Sequence, residues 1–327
     1  MVEHGATHPW VGVGQERVRF AIVGNGLKEW SQTVEFVQGA ESLGFDAYWA
    51  NDHPLRSQDC WSTLAALAMA TTRIRLVSLV SCVYYRSPAM LARLAADVDR
   101  ISGGRLVLGI GIGIGDDVPE FAQLDIPFPP IRERQAALEE TLRVIRGLWH
   151  QAPFTHEGAN FRLANAPFGP RPVQQPHVPI LIAGGGELVT LRQVAQYADM
   201  SNFGAHEWTG GAFDLDDVRR KFAALREHCA AQGRGYRSIL RSHYTPFLVL
   251  AETRAALERK MEGRRIPDAQ LRTIPLLATP REAIAHYQAL ADAGTQYFLA
   301  VIDGHDTETV RLLAEEVMPA ISLAHPN

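Results

Sequence analysis

The chain has 327 residues, 46% of them hydrophobic and 21% charged, with a formal net charge of -4. This is the balance of an ordinary globular protein; it carries no basic footprint for nucleic acid, and no apolar run approaches the ~18–20 residues that span a bilayer. Cys60, Cys82 and Cys229 stand far apart with no CxxC pair, which implies neither a disulfide framework nor a zinc site and fits a reducing cytoplasm.

Taken in order, residues 1–16 lack the apolar stretch of a signal peptide and read as a flexible N-terminal arm. A single domain is expected over 17–327. Within it, short apolar runs alternate with amphipathic helical windows. Strands are expected at 18–23, 45–50, 74–80, 106–110, 180–183, 199–203, 245–250 and 297–302. Helices are expected at 33–43, 61–70, 89–101, 132–149, 188–197, 215–231, 255–262, 280–293 and 307–317. In the last of these, Val310, Leu313, Ala314, Val317 and Met318 keep the spacing of a buried stripe. Eight near-continuous apolar strands, each followed by a helix, argue a closed parallel barrel of the α/β class. An open doubly wound sheet is the competitor, but no glycine-rich stretch completes G-x-G-x-x-G, since position 116 is Asp. Two insertions interrupt the pattern, 153–179 and 263–274. Insertions of this kind cover the active site when they lie at a barrel's top face and are structural at its bottom face.

The chemistry gathers where strands end. Gly109-Ile110-Gly111-Ile112-Gly113 closes the fourth strand and Ala183-Gly184-Gly185-Gly186 the fifth. Glycines there permit close backbone approach or positive φ, at the end of the sheet where α/β proteins bind ligands. Gly184, Gly185 and Gly186 open a helix, whose free N–H groups and dipole suit a phosphate; Glu187 competes as an internal cap. The second strand ends in Asn51-Asp52-His53-Pro54. His53 can move a proton near neutral pH and Asp52 can orient it or hold a ligand; the same residues also suit an Asx-type turn before Pro54. Ser81 and Cys82 close the third strand and leave room for a flat ring, which Tyr84 and Tyr85 would wall unless they only pack. Asp116 and Asp117 read by default as solvated loop charges. His243 reads as structural. The remaining histidines have no metal-site spacing.

Taken together, Asn51-Asp52-His53, Ser102-Gly103-Gly104-Arg105 through Gly113, Pro179 through Gly186 and Ala278-Thr279-Pro280-Arg281-Glu282 resemble the bacterial luciferase-like superfamily of flavin- and deazaflavin-dependent oxidoreductases. The Asp-His pair is similar to that of the coenzyme F420 branch. The resemblance implies a (β/α)8 TIM barrel with insertion segments near the C-terminal mouth, often dimeric, with a non-prolyl cis peptide within residues 78–81. It implies hydride transfer between F420 and a small organic substrate, with His53 and Asp52 at the reaction site. Asp52, Ser81, Cys82, Gly111, Gly113 and Gly184–Gly186 would contact the cofactor, and the three last glycines its phosphate. The alternative is an FMN-dependent monooxygenase using O2, fed by a separate flavin reductase.

Overall fold

In the computed structural model, residues 7–262 and 273–323 are described. The chain is a (β/α)8 barrel. Its strands are β1 (Arg19–Asn25), β2 (Ala47–Asn51), β3 (Arg75–Leu79), β4 (Leu106–Gly111), β5 (Ile180–Ala183), β6 (Met200–Gly204), β7 (Leu240–Thr245) and β8 (Tyr297–Asp303). Their hydrogen-bonded order is β3-β2-β1-β8-β7-β6-β5-β4, with β3 also pairing with β4. The helices are α1 (Pro9–Val13), α2 (Trp30–Ser42), α3 (Cys60–Ala70), α4 (Pro88–Ile101), α5 (Val118–Gln123), α6 (Ile131–Gln151), α7 (Thr190–Tyr197), α8 (Leu215–Ala231), α9 (Arg254–Met261), α10 (Pro280–Asp292) and α11 (Thr307–Leu312). Two compact units make up the chain, one comprising residues up to Trp49 and from Gly184 on, the other Ala50–Ala183.

In the first unit, β1 and β8 run parallel in register from Arg19 opposite Tyr297 to Asn25 opposite Asp303. Phe20, Tyr287 and Phe298 fill the core beside them, with ring centroids 4.9–5.2 Å apart. Within the expected N-terminal arm, Pro9–Val13 is helical, and residues 1–6 lie outside the described residues. Pro at the helix start favours a helical turn, and α1 buries Trp10 and Val11. The Arg19 guanidinium lies 4.9 Å from the Trp10 ring centre and pairs with Asp46 at 3.1 Å.

The seventh strand is displaced from its expected place. It runs over Leu240–Thr245, while Leu248–Leu250 pairs instead with Leu276–Ala278 in a separate two-stranded parallel sheet. The apolar run at 248–250 drew the expectation, whereas β7 is polar at Arg241, Ser242, His243 and Thr245. Those groups are nonetheless buried, because partners satisfy most of their polar atoms. Arg241 donates to Gly294 O and stacks on Tyr236, Ser242 donates to Ser201 O, and Thr245 meets the Tyr287 hydroxyl.

In the second unit, β4 is buried along its whole length and lies between β3 and β5. Ser78 Oγ both donates to Gly109 O (2.8 Å) and accepts from Gly109 N (3.0 Å). The Leu79–Val80 peptide is cis, within the expected segment. A Cβ at Gly111 would fall 2.8 Å from Val80 Cγ2, so this glycine serves strand packing whatever else it meets.

The insertion at 153–179 begins with an antiparallel hairpin, Phe154–Glu157 against Arg162–Ala166. Its later part is tied down by Gln174, which donates to Leu106 O and Asp99 and accepts from Arg75. Leu106 and Arg75 start their strands, so this insertion lies at amino-terminal strand ends and not at the mouth. The segment expected at 263–274 falls mostly outside the described residues.

Candidate active site

Just beyond the carboxyl end of β2 the chain turns sharply, and Asp52 is buried there with 2% exposure. Its Oδ2 accepts from Ser81 Oγ and from Arg86 Nη1, each at 2.7 Å. Ser81 in turn accepts from Trp61 Nε1 at 3.1 Å, and Arg86 also reaches Asp59 at 3.1 Å. A buried carboxylate is costly unless paired and hydrogen-bonded; Asp52 has both kinds of partner. Ser81 therefore holds Asp52, a job nearer at hand than contact with a cofactor.

His53 is partly exposed, and its Nδ1 lies 3.0 Å from Glu120 Oε2 and 2.9 Å from Arg56 Nη2. Only one of these can be a hydrogen bond to Nδ1 at a time. The carboxylate is the stronger partner for Nδ1–H, and Arg56 is already engaged by Glu120 Oε2 (2.9 Å) and Asp117 Oδ1 (2.8 Å). That fixes the tautomer: Nδ1 donates to Glu120, and Nε2 keeps its lone pair. Among the described residues nothing occupies Nε2.

Glu120 sits on α5 with its side chain 2% exposed. Burial pushes its carboxyl upward, but bonds from Leu55 N, Arg56 and His53 outweigh this and hold it below the usual range. Burial likewise opposes the charge on Arg56, yet Glu120 and Asp117 raise it. Tyr85 donates to Glu120 Oε2 at 3.3 Å and packs on Phe121 at 5.2 Å; burial and the two carboxylates raise its phenol. Asp117 is not the solvated loop charge expected: it is 4% exposed and caps the Ile114 N–H at 2.8 Å.

The donor atoms of His53, Asp117 and Glu120 lie within 4.8 Å of one another, a spacing that suits a metal ion. Arg56 stands among them, and its guanidinium pairs with both carboxylates, at 2.8 and 2.9 Å.

The glycine end of β4 is held by Arg134, which donates to Ile112 O (3.0 Å), Gly113 O (2.7 Å) and Pro129 O (3.0 Å). Gly113 has φ of +75° with Phe121, Phe128 and Asp117 close by, so a side chain there would be strained. Burial pushes the Cys82 thiol up to about 12, which leaves it without thiolate character; Cys82 can contribute only shape.

In the other unit, Gly184 has φ of +114°, and α7 starts at Thr190, two residues later than expected. No side chain caps this helix. Glu187, the competitor for that role, pairs instead with Arg220 (3.0 Å) and Lys221 (3.5 Å). Lys221 is buried and donates to Gly185 O at 2.9 Å. The helix start is thus uncapped, and the Lys221 ammonium beside the glycines is engaged by Gly185 O and Glu187. Spare room at Gly185 is small, since a Cβ there would meet Lys221, Phe203 and Gly210 at 3.1–3.3 Å.

Of the expected site residues, Asp52, His53 and Ser81 are thus drawn together, Cys82 and Gly111 lie buried at the strand ends, and Gly184–Gly186 form a separate glycine turn. Arg56, Arg86, Glu120 and Lys221 were not anticipated. The signal for Glu120 was present: Val118-Pro119-Glu120 has the proline and the acid of a helix's first turn.

Over 321 residues the chain is 27% identical to an F420-dependent glucose-6-phosphate dehydrogenase of Amycolatopsis mediterranei, covering 88% of this chain and 93% of that protein. A protein of the same description from Kineococcus radiotolerans is 29% identical over 325 residues, covering 90% and 93%. The coenzyme F420-dependent tetrahydromethanopterin reductase of Methanopyrus kandleri shares the fold, with a TM-score of 0.77 at 19% identity over 94% of this chain and 100% of that one. The luciferase-like monooxygenase family matches residues 7–322, nearly the whole barrel, and this chain belongs to that family.

Proposed function

We propose that this protein is an oxidoreductase that passes hydride between coenzyme F420 and a small organic substrate, with His53 as the group that moves the proton. One observation carries the reading: the His53 ring is held from behind through Nδ1, and Nε2 is left open at the carboxyl end of β2. Glu120 keeps its own proton off, because Arg56 and the Leu55 N–H stabilise its charged form. Nε2 is thus the ring nitrogen left to exchange a proton with the substrate. Asp52, clamped by Ser81 and Arg86, fixes the start of the turn that carries His53.

The residues present suit the cofactor. The uncapped start of α7, with Gly184–Gly186 and Lys221, would hold its phosphate. When bound, the deazaflavin supplies the hydride chemistry; the protein supplies orientation, a dry pocket and the proton. His53→Ala is expected to lower turnover by ~10²–10⁴ with cofactor binding retained. Unchanged turnover would remove His53 from the reaction.

The family description favours a second reading, an FMN-dependent monooxygenase supplied with reduced flavin by a partner reductase. Fluorescence titration of the protein with F420 and with FMN separates the two, and micromolar FMN binding without F420 binding would reverse their order. Either reading is compatible with a homodimer, which we propose as the working form.

A further inference from the structure

On β7 the pleat sends alternate side chains to opposite faces. His243 and Thr245 face the helices. His243 lies beside Phe203, which packs on Phe222 of α8 with ring centroids 5.0 Å apart, and Thr245 meets the Tyr287 hydroxyl of α10 at 3.2 Å. Ser242 faces the other way, and Asn202 of the neighbouring strand β6 donates from Nδ2 to its Oγ at 2.8 Å. Tyr244 shares the face of Ser242 and therefore points into the barrel. It is the next-to-last residue of β7, at the carboxyl end where barrels bind ligands.

The Tyr244 hydroxyl has no task in the fold. Among the described residues nothing hydrogen-bonds it, and it is not one of the buried polar atoms that lack a partner, so it is open to a ligand. Tyr85, Tyr287 and Tyr297, by contrast, spend their hydroxyls on protein partners. Tyr244 is half-buried as a residue, and burial pushes its phenol up to about 12. It keeps its proton at neutral pH and has one to donate. Its register neighbours are Gly204 on β6 and Leu299 on β8, neither of which has a side chain that can accept. An oxygen acceptor that enters with a ligand would be the partner this donor lacks.

We propose that Tyr244 is a cofactor-contacting residue, its hydroxyl donating to a ring carbonyl oxygen of the bound deazaflavin or flavin. This assignment rests on the reading of the protein as an enzyme of one of those cofactors. Both ring systems carry such carbonyls, so the contact is common to F420 and FMN.

The test is fluorescence titration of the full chain and of Tyr244→Phe with F420 and with FMN. The substitution removes one oxygen and keeps the ring. For whichever cofactor the parent binds, Tyr244→Phe should weaken binding about two- to tenfold, the worth of one hydrogen bond. Tyr287→Phe, which removes a hydroxyl on the helix-facing side of β7, should leave that affinity unchanged. Without cofactor, the parent and Tyr244→Phe should melt at the same temperature, since the hydroxyl holds nothing in the protein. Equal cofactor affinities for the two would overturn the assignment and leave the cofactor reading intact. A lowered melting temperature in Tyr244→Phe would overturn it too, by revealing a structural partner. Binding of neither cofactor by the parent would overturn both.

Discussion

Glu120 holds His53 while being held by Arg56, Tyr85 and the Leu55 amide, and this reciprocity gives a testable signature. Glu120→Gln keeps the shape but removes the charge that fixes the ring, and turnover should fall about 10–100-fold; unaltered turnover would mean that the pairing is incidental. The same carboxylate bears on acid stability. Its folded pKa is depressed below 4.5, so its stabilisation is present above that value and is lost as pH falls through the folded value. Thermal melts below pH 4.5 should therefore drop less steeply in Glu120→Gln than in the parent. His243 acts over a higher window. A histidine kept neutral to about 3 must take up a proton on unfolding, so stability is full above pH 6.5 and is lost as pH falls toward 3, by up to about 1.4 kcal/mol per pH unit. His243→Phe should flatten that limb of the melting curve. Residue type alone exposed Asp52 and His53, because a polar cluster after an apolar strand has few uses. It could not expose Arg56 or Arg86, loop cations whose partners lie far off in sequence at Glu120 and Asp52.

At the scale of elements, strands and helices with strong periodicity were legible: α8 and β5 fall at their expected bounds. α5 was not, since six residues give less than two turns of pattern, and the residue that orients His53 went unseen with it. β7 was missed for the opposite reason, its buried polar side chains being matched by partners that only the fold brings near. The cap at the start of α10 was readable in Thr279 and Glu282. Glu282 accepts from Thr279 N and Oγ, both at 2.8 Å, and Thr279→Ala should cost about 0.5–2 kcal/mol in denaturant melts. The hairpin of the 153–179 insertion hangs on one carboxylate: Glu140 accepts from Asn160 N and Nδ2, Phe161 N and His156. Glu140→Ala should cost about 1–3 kcal/mol yet leave cofactor titration unaltered, because the insertion lies at the amino ends of the strands. Weakened cofactor binding would contradict that placement.

At the scale of the whole molecule, the order of eight βα units was enough to anticipate the barrel, and the resemblance carried by Asn51-Asp52-His53 and the glycine-rich segments its family. The identity of the cofactor was not written there, because a phosphate cradle of glycines and a helix start serves F420 and FMN alike. The proposed dimer belongs to this scale too. Met69 on α3 is 78% exposed and Met90 on α4 is 57% exposed, large apolar side chains that favour covering by another surface. Light scattering should give twice the 36.1 kDa chain mass, and Met69→Glu should shift it toward one chain. Finally, the guanidinium of Arg56 is a counter-ion tethered by the backbone, which cannot be washed out or exchanged. Prolonged dialysis against EDTA should leave turnover intact, and added manganese should neither raise nor lower it. Arg56→Ala, by contrast, would leave Asp117 and Glu120 facing each other uncompensated, and that variant alone should acquire a response to divalent ions.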